Sequence, residues 1–242
     1  MRVTTSTPGS GLGLEPDRHG EPLVHDHGPR LSGAAERGFL VLADISGFTA
    51  FVTATELEHG PPIIGALLDA VITRLSPPLT VQEIEGDAVF ALGPDGSVEP
   101  PARLLDVLRG AVLGFRGRQR AMQARESCGC AACANIWRLR LKVIGHHGEF
   151  LRQRVGGRVQ AAGREVIVAH SLLKNRWPRT ADYALITAPA LRYMDVDPAR
   201  AGLSTHTERY DHLGEIECFV GDLDDRAPVR DLGRPILLAD RD

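Results

Sequence analysis

The sequence predicts an α/β fold, and three observations carry that expectation. Short continuous apolar runs, such as Phe39–Ala43, have the length and composition of buried strands. Between them stand stretches with apolar residues at helical spacing, such as Ile64, Leu67, Leu68, Val71 and Leu75. Gly and Pro punctuate the boundaries, as at Gly47, Pro61-Pro62 and Gly86.

Taken in order, residues 1–36 contain ten Gly or Pro and no aromatic residue, too little to bury, and are expected to form a disordered leader. The His25-Asp26-His27 triplet within it reads as solvated tail. Phe39–Asp44 is a central strand, Gly47 breaks it, and a helical stretch follows to about His59. Pro61-Pro62 restarts the chain into a helix over Ile63–Leu75. Leu79–Glu85 and Ala88–Leu92 form a hairpin that turns at Gly86. Ala102–Glu126 is a long helix with a buried stripe of Leu104, Leu105, Leu108, Val112 and Phe115, and its arginines read as a solvated face. Leu139–Ile144 and the segment to Val155 read as another hairpin pair. Gly163 opens a helix to about Asn175. Tyr183–Thr187 and Gly214–Leu223 are strands. The domain is thus expected over residues 37–223, with a polar tail over 224–242.

Bulk composition narrows the function. The chain is 43% hydrophobic and 24% charged with a formal charge of −3, giving no reason to expect a nucleic-acid partner. No uncharged apolar run approaches the ~20 residues of a membrane span. The amino terminus lacks a secretory core, so the expected location is cytoplasmic. Four cysteines, three of them crowded together, fit a reducing compartment better than a disulfide framework.

Chemistry concentrates in two acidic signatures, FLVLADISGFTAF (Phe39–Phe51) and VQEIEGDAVFAL (Val81–Leu92). Each sets one aspartate, Asp44 or Asp87, at the edge of an apolar strand, and neither run holds an Arg or Lys to neutralise it. A carboxylate beside buried strands is costly unless paired or bound to a cation. Two together suit Mg²⁺ or Mn²⁺, hard ions that take oxygen ligands and phosphates.

The Asp-Ile-Ser-Gly-Phe-Thr string, followed about forty residues later by Glu-Ile-Glu-Gly-Asp-Ala, resembles the two metal-binding signatures of class III nucleotidyl cyclases. The resemblance implies a ferredoxin-like sandwich, a central mostly antiparallel sheet flanked by helices, that dimerises head to tail with active sites at the interface. It implies a nucleoside triphosphate substrate and two metal ions on Asp44, Asp87 and the Ile45 carbonyl, with Phe48 and Thr49 of the same string near substrate. Glu83, four before Asp87, falls at the base-selecting position, where Glu marks guanylate cyclases. Its companion position is Gln160, and the pair leans towards GTP.

The second half departs from that pattern. LKVIGHHGEF (Leu141–Phe150) resembles the family's strand and turn, with His146 and Gly148 in register. In the helix that follows, the family's asparagine and arginine become Ile167 and Ser171. Ile cannot orient a ribose and Ser cannot offset phosphoryl charge. On one helical face, positions 164, 167, 171 and 174 align, so Arg164 or Lys174 is the candidate to supply the missing charge. The chain also resembles a less characterised cyclase-like branch with a cysteine cluster and an Ala-His-x-Leu-Leu-Lys-Asn helix, here His170, Leu172, Leu173, Lys174 and Asn175.

Cys128, Cys130 and Cys133 place three thiols within six residues, which suits a structural Zn²⁺ that wants a fourth ligand, Cys218 or His146. Three functions stay open on the sequence: a metal-dependent cyclase-type nucleotide-binding domain that cyclises its substrate, a regulatory or nucleotide-sensing module without turnover, and another metal-assisted phosphoryl reaction.

Overall fold

The computed structural model describes residues 34–55, 57–124, 130–178 and 180–222. Residues 1–33 of the leader expected over 1–36, the tail expected over 224–242 and Cys128 therefore lie outside the described residues, and Glu36 already belongs to β1. The strands are β1 (Glu36–Ser46), β2 (Thr80–Glu85), β3 (Ala88–Pro94), β4 (Arg140–Val155), β5 (Arg158–Ala162), β6 (Tyr183–Thr187), β7 (Ser204–Tyr210) and β8 (Gly214–Gly221). The α-helices are α1 (Phe48–Thr53), α2 (Gly60–Leu75), α3 (Leu104–Ala124), α4 (Ala131–Asn135), α5 (Arg164–Leu172) and α6 (Ala188–Met194). Strand order is β2-β3-β1-β4-β6-β8-β7, and β5 pairs off this path with the outer half of β4. All pairings are antiparallel except β4 with β6. The expected mixed α/β sandwich with a mostly antiparallel sheet is the fold observed.

β1 reads as an unbroken apolar run because both its faces are covered. Phe39, Val41, Ala43 and Ile45 enter one core layer with Leu67 and Val71 of α2, Leu108 and Val112 of α3, and Leu191 of α6. Leu40 and Leu42 enter the opposite layer with Val168, Ala169 and Leu172 of α5. Each fully buried side chain of this size contributes ~1.5–3 kcal/mol of transfer free energy. Gly47, at φ 91°, turns the chain from β1 into α1, a conformation that favours glycine.

Several expected elements differ in extent. The stretch after Gly47 is not one helix to His59; α1 ends at Thr53 and α2 begins at Gly60, with both prolines inside its first turn. Pro is accepted there because the first helical N–H groups have no partner to lose. β4 is one strand of 16 residues rather than a hairpin over Leu139–Val155, and its hairpin partner is β5. Its inner half is buried between β1 and β6, while its outer half leaves the main sheet. α5 ends at Leu172, so Lys174 sits in the turn beyond it and does not share a helical face with Arg164. The polar strand β7 and the short α6 gave no strong periodic signal in the sequence. No helix among the described residues is long and apolar enough to cross a membrane.

Gly38 faces Pro94 across the β1–β3 ladder, and a Cβ there would stand 2.3 Å from the Gly93 carbonyl oxygen. Because the obstacle is backbone, it cannot swing aside. Gly38→Ala is expected to cost roughly 1–3 kcal/mol of stability, read as a lowered urea midpoint at unchanged slope.

Candidate active site

Asp44 and Asp87 meet at one end of the sheet. Register sets Asp44 opposite Ala88, the first residue of β3, so Asp87 follows directly from the β2–β3 turn. The Ile45 N–H donates to the Asp87 carbonyl at 3.1 Å, which fastens the turn to β1. In an antiparallel ladder a residue's N–H and C=O face the same neighbour, so the Ile45 carbonyl faces this turn too. Burial, and then the charge of Asp44, push Asp87 up to about 6. Gly86 at the turn has φ 61°, which lets β2 and β3 join tightly enough to hold Asp87 at the tip.

Asp44, however, is not without a cation. Lys142 lies directly across from it on β4, and its Nζ stands 2.8 Å from Asp44 Oδ2. The same ammonium donates to the Leu173 carbonyl at 2.6 Å, in the turn that ends α5. The expectation of two unneutralised acids is corrected for Asp44, because the neighbouring strand supplies what its own run lacks. Asp87 makes no ion pair among the described residues, although the Lys142 charge also reaches it. The signal was present in the sequence as a lone lysine inside the apolar run Leu141–Ile144.

The donors fit a divalent ion of a particular kind. Among the described residues no group of three or more His, Cys, Asp or Glu gathers around a point. An all-protein cage is therefore absent from them, whereas Mg²⁺ is commonly held by one or two carboxylates together with substrate phosphates. Two neighbouring acids at one sheet end, one of them held up by burial and repulsion, suit an ion that arrives with a triphosphate.

The two residues expected at the base come together from β2 and β5. Gln160 Nε2 donates to Glu83 Oε1 at 3.3 Å. Phe48 opens α1 half-buried against the core, and Thr49 beside it is exposed.

Further along β4 from Lys142, His146 ties the strand to α5. His146 is buried, and burial holds its ring below the usual histidine range, so it is neutral. A neutral ring facing a carboxylate donates from Nε2 to Glu165 Oε2 at 2.8 Å and accepts the Thr187 hydroxyl at Nδ1, also 2.8 Å. Burial raises Glu165, but its hydrogen bonds from Arg164 and His146 outweigh this and hold it below the ordinary range. A Cβ at Gly148 would stand 2.6 Å from Glu165 Cγ, so the glycine admits this clamp. Arg164 spends its charge here, with Nη1 2.7 Å from Glu165 Oε1. Lys174 is exposed, and Ile167 is 59% exposed on the outer side of α5.

The proposed fourth zinc ligands lie elsewhere. Cys130 caps α4, its Sγ accepting the Cys133 N–H at 3.4 Å, and both pack against the layer of α2 and α3. Cys218 is buried in the opposite layer, where burial and then Glu208 and Glu217 push its thiol up to about 12. Lying on the other side of the sheet, Cys218 does not meet Cys130 and Cys133. His146 has both ring nitrogens engaged by Glu165 and Thr187.

Comparison with solved structures places the architecture. The guanylyl cyclase Cya2 superposes with a TM-score of 0.64 over 78% of this chain and 92% of that one, at 12% identity. The chain has the class III nucleotidyl cyclase fold. The adenylyl cyclase CyaB from P. aeruginosa is similar at TM-score 0.56 and 16% identity, over 82% of this chain and all of that one (100%). The guanylyl cyclase domain of the RhoGC fusion protein from the aquatic fungus Blastocladiella emersonii gives 0.52 at 13% identity, over 77% and 97% of the two chains. At these identities the likeness carries the fold. A family model described as "Protein of unknown function (DUF2652)" matches residues 64–183, which include Asp87 and Lys142 but not Asp44. The chain is also 28% identical over 157 residues to the "Uncharacterized protein Rv2561/Rv2562" of Mycobacterium tuberculosis, covering 65% of this chain and 72% of that one. Both agree with a divergent branch of the cyclase fold.

Because Asp87 binds its proton more tightly folded than unfolded, its own contribution to stability falls as pH rises from about 4 through about 6, then levels. In metal-free buffer Asp87→Asn is expected to exceed wild type in stability at pH 7.5, on the order of 1 kcal/mol after solvent screening, with the gain vanishing towards pH 4. Urea unfolding across that range checks the sign.

Proposed function

We propose that this domain binds a nucleoside triphosphate with a divalent ion, Mg²⁺ or Mn²⁺, and closes it to a 3′,5′-cyclic nucleotide. The observation that carries the reading is the meeting of Asp44 and Asp87 at one sheet end within a cyclase fold. In ring closure the ribose 3′-oxygen bonds to the α-phosphorus and the bond to the β-phosphate oxygen breaks. Pyrophosphate leaves, and the hydroxyl proton passes to water. Asp44 and Asp87 would hold the ion, with the Ile45 carbonyl beside them. A bound ion there neutralises phosphate charge and polarises the reacting oxygens.

Glu83 and Gln160, joined across β2 and β5, are assigned to the base. A carboxylate accepts the ring and exocyclic N–H groups that guanine presents, which supports GTP over ATP. Phe48 and Thr49 are assigned to substrate on the strength of their place beside Asp44. Lys174, exposed beyond α5, is assigned to phosphate charge; Arg164 is the weaker choice because Glu165 already engages it.

A homodimer is part of the same reading. Ile84 on β2, Val155 on β4, Val159 on β5 and Ile167 on α5 are large apolar side chains left exposed. Their elements adjoin one another through the Gln160–Glu83 bond and the β5–α5 packing. Exposed apolar surface of this kind supports burial against a second copy.

A second reading, nucleotide sensing without turnover, is favoured by Ile167 at the ribose-orienting position and by the Arg164–Glu165 pair. Incubation with Mn²⁺ or Mg²⁺ and each nucleoside triphosphate, with products resolved by chromatography, separates the two. Cyclic product that drops at least about 10²-fold in Asp44→Ala and Asp87→Ala supports the enzyme. Tight binding without product supports the sensor, and neither binding nor product would sink both.

A further inference from the structure

We infer that Lys142 is a resident cation of the acidic pair, so that the site takes one divalent ion rather than two. The inference rests on the metal-dependent reading above and concerns how this chain meets that ion. Two-metal sites set their ions about 3.5–4 Å apart and share carboxylate oxygens between them. Here one oxygen of Asp44 is already taken, with the Lys142 ammonium 2.8 Å from Oδ2.

The ammonium is not free to swing away. Its side chain is 5% exposed, the β1–β4 register holds it opposite Asp44, and its second bond goes to the Leu173 carbonyl at 2.6 Å. That carbonyl ends α5, and a helix C-terminus favours a cation. Displacing the ammonium would leave a buried charge without its partner, which is costly. The lysine is thus held from both sides by groups that want it charged.

A second ion on Asp44 would be crowded against the ammonium on the same oxygen. The acceptors left are Asp44 Oδ1, which meets no cation among the described residues, Asp87 and the Ile45 carbonyl. A single ion held by Asp44 and Asp87 would, with Lys142 in the other cation's place, leave all three side chains matched.

The test counts ions on the full chain with a triphosphate that cannot cyclise. Mn²⁺ is titrated with 3′-deoxy-GTP or 3′-deoxy-ATP, and electron paramagnetic resonance reports both the bound number and any coupling between neighbouring ions. Wild type is expected to hold one uncoupled Mn²⁺ per protomer. Lys142→Met, with folding verified by circular dichroism, is expected to hold two coupled ions, and Lys142→Arg to remain at one. Asp87→Asn is expected to lose the ion. Two coupled ions in wild type, one ion in folded Lys142→Met, or retention in Asp87→Asn each overturns the inference while leaving metal dependence standing. No bound Mn²⁺ in wild type overturns the metal-dependent reading itself. Should Lys142→Met not fold, the wild-type count decides alone.

Discussion

The central strand β1 is paired on both sides, and this constraint organises the rest of the molecule. β3 and β4 run antiparallel to it over most of its length, so each residue from Gly38 to Asp44 has a fixed neighbour on each flank. Asp44 therefore receives Asp87 from one side and Lys142 from the other. An acid at the edge of a lone strand could turn to water. Here it is set between two charges whose places the sheet dictates.

The charges are unequally matched. Asp44 is bonded to a buried ammonium, while Asp87 meets repulsion and partial burial. The face of the sheet carrying Asp44 and Lys142 also carries α5, whose two ends are tied to β4 in different ways. Its first turn is clamped through Glu165 to His146, and its last turn is bonded through Leu173 to Lys142. The helix is thereby fixed at both ends to the strand that helps build the acidic site. Ile167, midway between these ties, is left facing outward.

Much of this was legible in residue order. The apolar run ending in Asp44, the hairpin with Gly86 before Asp87, and the glycine-led helix after Gly163 all depend on local signals, and the structure has each of them. The β4 strand was misread because its inner half is apolar and its outer half polar, a change that mimics a turn between two strands. The length of α5 was overestimated because the apolar pattern continues through Leu173, although the helix stops where that carbonyl turns to Lys142. β7, with its mostly polar residues at the sheet edge, offered no alternation strong enough to mark it.

By itself, the sequence determined the class of fold, the identity of the two acids and their placement at strand ends, since those follow from short-range patterns of apolarity, glycine and charge. Tertiary structure alone decided which cation stands beside Asp44, that Glu83 reaches Gln160, and that Cys218 lies across the sheet from Cys130 and Cys133. Lys142 is 98 positions from Asp44, and Gln160 is 77 from Glu83. Partners so far apart are joined by strand register and sheet order, long-range properties that no local window of residues contains.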